Sequence, residues 1–446
     1  MKLKQRPEDF VVRESYRFEP ERAGEYYVYR MDKQKLSTLQ AIEKLRGIGL
    51  RRQDISVCGL KDKQGRTEQL VAVRGAEMSL QLPDLKLTLL GRSSKPLSAD
   101  NIASNRFAVT VRDLSDEEAE RAQESVREVE RAGVINYFDS QRFGFLKHQH
   151  EIPGRLLVKG DLEGALKLYL ATPSDLDRTD DAKVKRYWSE HWHEWGARCP
   201  YGEAMKRYTP IFRYLRANPR DYAGALMQID ERTRLMMIYE LQSLLWNESA
   251  KRYLHAKVSV SEIISIRYQA GGLDFPRIVA PLRETFPLLA PDTDLTDPEV
   301  RAPCLAALAR EHLRPERLVV PGLPRLFFKS ADRPLVIHPG ALTISQIRRD
   351  DMNTGRKMVH LAFTLPPGAY ATLVVRRVMW FAEEARAYKL GAREEAANTA
   401  PLPARIEPPA VTQPPPPDPR TTGFRGRAKA KKVARAAARG TAKRGS

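Results

Sequence analysis

At 446 residues the chain exceeds the usual size of one hydrophobic core, so a two-domain body with room for a buried site is expected. Its 75 Lys and Arg against 56 Asp and Glu give a formal charge of +19, which favours polyanionic partners, nucleic acid foremost, and says nothing about fold. Three widely separated cysteines, Cys58, Cys199 and Cys304, argue against a disulfide framework or a cysteine-built zinc ribbon. MKLKQRPEDF has no apolar core and no run of eighteen apolar residues occurs, so a cytosolic protein with no membrane partner is expected.

In chain order, EDFVVRE and EYYVYRM alternate apolar and polar residues as half-buried strands do, and LSTLQAIEKLRGIG then has helical spacing ended by glycine. DISVCGL, the loop GLKDKQGRTEQ and EQLVAV read as a strand, a tight connection carrying Asp62, and a return strand. NRFAVTVRDL is a further strand. Ser115 with Glu118 three residues on makes a capping box for a helix presenting Ala119, Ala122, Val126 and Val129 on one face, stopped by Gly133. The order predicts an α+β domain with a mostly antiparallel sheet. Residues 155 to 330 are mainly helical in pattern, after which MVHLAFTLPPGAYATLVVRRV returns to strand, Pro-Gly turn and helix, so the helical part is expected to be an insertion. Residues 401 to 419 hold nine prolines and residues 420 to 446 ten Lys and Arg with no acid. Such a tail is expected to be disordered, serving as a solubility extension or as an arm that holds RNA without specificity. Removing its ten charges from +19 still leaves +9 on the body.

Several clusters invite chemistry. YWSEHWHEW brings His191 and His193 near Cys199, but residues two apart face different sides of a helix, and Trp188, Trp192 and Trp195 have the spacing of a packing stripe. As a strand, this stretch would put His148 and His150 on one face, without further ligands at metal spacing. The phosphate-loop, dinucleotide, serine-hydrolase and zincin signatures are missing. In NYFDSQRFG, Tyr137, Phe138, Phe143 and Phe145 interleave with Asn136, Gln141 and Arg142. That mixture suits stacking on unpaired bases and equally suits an ordinary core strand. Tyr370 in PPGAYAT allows the same two readings. Asp62, between Lys61 and Lys63, is either a solvated turn aspartate or a carboxylate presented for chemistry.

Taken together and in order, KQRPEDFVVRE, GLKDKQGRTEQ, NRFAVTVR, NYFDSQRFG, QSLLWN and LPPGAYATLVVRRV resemble the TruD family of tRNA pseudouridine synthases over about residues 1 to 385. The long helical stretch is more similar to the archaeal and eukaryotic branch. The resemblance implies a pseudouridine synthase catalytic domain from residues 1–154 and 331–385, an inserted TRUD domain at 155–330 and a tail at 386–446. It implies isomerisation of a uridine in tRNA, uridine-13 in the family, with tRNA as partner and neither cofactor nor metal. Asp62 falls at the catalytic aspartate. Lys4 would supply a neighbouring positive charge, Phe10, Asn136, Phe138 and Tyr370 would line the pocket, and Lys61 and Arg142 would contact substrate. Gly65, Asp139 and Ser104 depart from the pattern, standing for an alanine and two glycines. Asp139 is expected to keep a left-handed turn, at the expense of a negative charge near RNA. An RNA-binding protein without turnover and a metal-dependent RNA hydrolase are the alternatives.

Overall fold

A computed structural model describes residues 1–382 except 62, 64, 76, 147–150, 175 and 176. The proline-rich and basic tail, Asp62, and the His148–His150 pair therefore lie outside the described residues.

The alternating segments of the first third form strands β1 (Phe10–Tyr16) and β2 (Tyr26–Gln34). Helix α1 (Thr38–Gly47) follows, capped by Ser37, whose hydroxyl accepts from Gln40 N while its own N–H donates to Gln40 Oε1. Strands β3 (Ile55–Val57), β4 (Arg66–Arg74), β5 (Gln81–Leu82), β6 (Leu85–Ser93) and the thirteen-residue β7 (Ile102–Leu114) complete this part. The capping box forms as expected: Ser115 accepts from Glu118 N and starts α2 (Asp116–Ala132), which buries Ala119, Ala122, Val126 and Val129 and stops at Gly133 with φ +71°.

After the short strand β8 (Val134–Ile135) come helices α3 (Pro153–Val158), α4 (Leu162–Ala171), α5 (Thr179–Glu190), α6 (Gly202–Met205), α7 (Thr209–Ala217), α8 (Tyr222–Met227) and the 27-residue α9 (Glu231–Lys257). A hairpin, β9 (Ile263–Tyr268) with β10 (Gly271–Pro276), precedes β11 (Thr285–Leu288) and α10 (Pro298–Arg310). Strand β12 (Ala331–Pro334) pairs with β11 and β13 (Val336–Ile337) with β8. The chain then returns to the main sheet through β14 (Gly340–Ile344), β15 (Arg348–Arg349) and β16 (Lys357–Leu365) and ends its described course in α11 (Ala371–Val378).

The main sheet has ten strands in the order β14-β16-β7-β1-β4-β2-β6-β5, with β15 on β16 and β3 on β4. Every pairing in it is antiparallel except β1 with β4. The expected α+β architecture with a mixed, mostly antiparallel sheet is what the structure has. One sheet face, with Phe10, Phe107 and Phe363 in a row, joins the apolar sides of α2 and α11 and a core that runs on through α9. Helix α9 is buried around most of its circumference, including Glu240, Gln242, Ser243 and Asn247.

The tryptophans of YWSEHWHEW are packing residues, but not along one helix. Helix α5 stops at Glu190, and Trp192 and Trp195 lie in the turn beyond it. Trp188 stacks on Phe212 at 3.8 Å, Trp195 is buried, and His193 bonds Glu163 at 2.6 Å. Among the described residues no three His, Cys, Asp or Glu side chains gather as metal ligands, and no helix is long and apolar enough to cross a membrane.

Candidate active site

The parallel pairing of β1 with β4 fixes where the site forms. Val11 lies opposite Arg66, and strands running the same way begin at the same edge of the sheet. Phe10, opening β1, and the loop that feeds β4 therefore arrive together. Gly65 closes that loop at φ +118°, and a Cβ there would fall 2.3 Å from the Phe10 carbonyl oxygen. Only glycine allows the approach, which accounts for Gly65 in a position where the resemblance anticipates alanine. At the other end of the loop, Lys61 N donates to Thr38 Oγ1 at 2.8 Å and Thr38 N donates to Lys61 O at 3.2 Å. Both ends of the segment are thus held, one by the start of α1 and one by β1.

The Lys61 side chain turns back to the sheet. Its Nζ lies 2.6 Å from Asn105 Oδ1 and 3.1 Å from Glu14 Oε1, and the other oxygen of the buried Glu14 accepts from Leu70 N at 2.9 Å. Lys4, at φ +57°, places its ammonium 4.3 Å from the centre of the Phe10 ring.

Beside this loop is a cavity of about 300 Å³. Its floor is the sheet: Phe10 and Val12 of β1, Thr67 of β4, Asn105 and Phe107 of β7. They share a face because Val12 lies opposite both Thr67 and Phe107. Leu60 and Lys61, Gln141, and the segment Gly368–Thr372, a turn and the first residues of α11, form the walls. The volume, and a lining that mixes aromatic rings with polar groups, suit a flat ring of nucleobase size.

Of the residues anticipated from sequence, Phe10, Lys61 and Tyr370 line the cavity, and Lys4 covers Phe10. Asn136, Phe138 and Arg142 stand behind or beside its lining. Phe138 is buried, 6.3 Å from the Tyr370 ring and edge-on to Trp246 at 5.8 Å. Asn247 grips its backbone, Oδ1 accepting from Phe138 N and Nδ2 donating to Phe138 O, both at 2.8 Å. Asn136 is buried too, its Nδ2 donating to Pro334 O at 3.1 Å. Arg142 donates to Ser243 Oγ at 3.0 Å and lies 5.4 Å from the Phe138 ring centre. For Tyr137 and Phe143 the core reading prevails: both are fully buried, and the Tyr137 hydroxyl donates to Asp274 O at 2.9 Å. Burial raises that phenol well above its ordinary pKa.

Asp139 corrects an expectation. Its φ is −87°, so it keeps no left-handed turn. It is buried instead, accepting from Ser140 N, Thr372 Oγ1 and Arg376, the last at 3.1 Å, so its charge is neutralised and fastens the loop to α11.

Sequence reasoning missed Arg333. Its Nε donates to Asn136 O at 2.9 Å, and its Nη2 to Asn136 Oδ1 at 2.8 Å and to the cavity-lining Gly368 O at 3.1 Å. The guanidinium lies 4.1 Å from the Phe138 ring centre. Burial lowers its pKa to about 10, with the nearby Arg142 charge acting the same way. No motif surrounds it, and in sequence it is one of 75 basic residues. Glu240 on α9 also escaped notice: fully buried, it accepts from Phe145 N at 3.1 Å and Leu146 N at 2.8 Å, and burial pushes its carboxyl up to about 7 against the pull of those bonds. Cys58 and Cys304 are buried thiols pushed up to about 12 and so are poor nucleophiles.

Comparison with known proteins places this arrangement. The family model described as tRNA pseudouridine synthase D (TruD) matches residues 1–265. The probable tRNA pseudouridine synthase D 2 of Methanocaldococcus jannaschii is 30% identical over 84% of this chain and 91% of its own. The probable tRNA pseudouridine synthase D 1 of Methanococcus maripaludis is 28% identical over 85% and 99%. A crystal structure of a TruD protein from Methanosarcina mazei superposes with a TM-score of 0.61 over 84% of this chain and 93% of that one, at 24% identity, which bears on the fold.

Proposed function

The chain belongs to the TruD family of tRNA pseudouridine synthases, and we propose that it isomerises a uridine of tRNA to pseudouridine with the Asp62 carboxylate as the essential group. The observation that carries this reading is the loop anchored at both ends beside an aromatic-floored cavity. Asp62 follows cavity-lining Lys61 directly, and consecutive Cα atoms lie about 3.8 Å apart. The reading requires a carboxylate next in sequence to the cavity wall, which Asp62 is.

In the reaction the bond between ribose C1′ and uracil N1 breaks, the base turns, C1′ joins C5, C5 gives up its proton, and N1, left anionic by the cleavage, takes one up. Asp62 serves either by attacking C1′ or by taking a proton from the ribose, and both roles need the ionised form. On this reading Lys4 favours ionisation, because a nearby positive charge lowers a carboxyl pKa. Phe10 and Tyr370 offer ring faces to the extruded uracil, whose flipping costs a few kcal/mol and is offset by stacking of about 1–3 kcal/mol per base. Phe138 and Asn136 support Tyr370 and Arg333 from behind. No step calls for a cofactor or metal. On the same reading residues 1–154 and 331–385 are the catalytic domain, 155–330 the insertion, the substrate position is uridine-13, and the protein works in the cytosol.

Mapping carbodiimide-modified pseudouridines in tRNA from cells with and without this protein tests the assignment. One tRNA position, expected at 13, should lose its signal without the protein. An unchanged tRNA map, with RNA still bound by the purified chain, would replace the isomerase by an RNA-binding protein.

A further inference from the structure

Among the described residues, the buried Arg112 and Arg377 and the half-buried Arg155 are each neutralised by carboxylates. Arg112 meets Asp9, Asp350 and Asp351 at 2.5 to 2.9 Å, Arg377 meets Glu128 at 3.1 Å, and Arg155 meets Glu311 at 2.5 Å. Taking a charge out of water is costly, and a carboxylate is the usual compensation. Arg333 is half-buried and has none among the described residues. Its bonds run to neutral acceptors, Asn136 and Gly368, and leave Nη1 without a partner among the described residues. That nitrogen lies 3.9 Å from where a side chain on Gly368 would begin, at the cavity wall. Arg142, bonded to a hydroxyl and a thioether, brings a second guanidinium to the same Phe138 ring, at 5.4 Å against 4.1 Å for Arg333. Two cations on one ring repel, and burial has already weakened the hold of Arg333 on its proton. Such an arrangement is stabilised when an anion joins it.

We propose that Arg333, with Arg142 beside it, is the phosphate-binding group for the RNA entering the cavity, its free Nη1 donors taking a phosphodiester oxygen. Arginine suits the task because its planar fork can hold Asn136 and Gly368 on one side while presenting two donors on the other. Binding there would also tie the RNA to the turn that carries Tyr370. The inference rests on the cavity being a nucleotide site, but its test reads binding alone.

The full chain is titrated with a short synthetic RNA containing one uridine over a range of salt. Arg333→Gln should weaken binding about tenfold at low salt, with the slope of log affinity against log salt shallower by about 0.7 to 0.9, the loss of one phosphate contact. Arg333→Lys should restore the slope. With the wild-type protein, replacing phosphates one at a time by neutral methylphosphonate should reveal one linkage with the same loss, and Arg333→Gln should be indifferent to that linkage. A wild-type slope in folded Arg333→Gln would overturn the proposal, as would a methylphosphonate series in which no linkage matters, a result that does not depend on any variant folding. A positive result without pseudouridine formation would leave the phosphate site standing and remove the isomerase reading.

Discussion

Gly65 in the site and Glu240 in the core of α9 show how much single residues decide. Adding a methyl to Gly65 meets the Phe10 carbonyl at 2.3 Å on a backbone at φ +118°, so Gly65→Ala must move the loop or β1. We expect a loss of about 1–2 kcal/mol in stability and a larger loss of turnover, read by thermal melts beside single-turnover assays. Wild-type turnover in this variant would mean the loop position is not tied to chemistry. Glu240 gives a pH dependence whose sign can be worked out. Its folded carboxyl titrates at about 7, against 4.5 for the ordinary value. The folded state therefore binds more protons between those values, and stability falls as pH rises through them. Relative to Glu240→Gln, which keeps the acceptor for Phe145 and Leu146 but cannot ionise, the wild type should lose on the order of 3 kcal/mol between pH 4 and pH 8. Denaturant midpoints of the two proteins at both pH values measure this, and a constant gap would show that Glu240 is not held neutral.

At the scale of elements, α9 is the scaffold of the aromatic layer. Asn247 satisfies both backbone groups of the buried Phe138, so Asn247→Ala should cost about 1–3 kcal/mol for each group stranded and loosen Phe138 beneath Tyr370. Stability unchanged in that variant would contradict the scaffold role. How far such elements can be read from sequence depends on whether their signal is local. The Ser37 and Ser115 caps and the alternation of β1, β2 and β7 are local, and all form where expected. The parallel partnership of β1 with β4 is not, because alternation gives a strand's faces and never its neighbour. That partnership is what brings Gly65 onto Phe10. Arg333 was illegible for the same reason: its meaning comes from Asn136, Phe138 and Gly368, 35 to 197 residues away. In NYFDSQRFG the composition was compatible with both base stacking and core, and distant elements decide for core: Tyr137 is buried against Trp246 of α9 and Phe275 of β10, and Phe143 against Tyr268 of β9. Gln141, from the same stretch, does reach the cavity.

Across the whole molecule the net charge of +19 divides between a body at +9 and a tail of ten cations with no acid. Each phosphate neutralised releases counterions, so deletion of residues 401–446 should weaken tRNA binding most at low salt and flatten its salt dependence while leaving the position modified unchanged. An unaltered slope would make the tail a solubility extension. The claim on which everything else depends is that the anchored loop presents a reacting carboxylate. Asp62→Asn tests it most directly, since the change keeps size and hydrogen bonding and removes charge and basicity. Tritium release from tRNA labelled at uracil C5 should be rapid with wild type and absent with Asp62→Asn, while the variant binds tRNA and melts as the wild type does. Substantial release by folded Asp62→Asn protein would contradict the account.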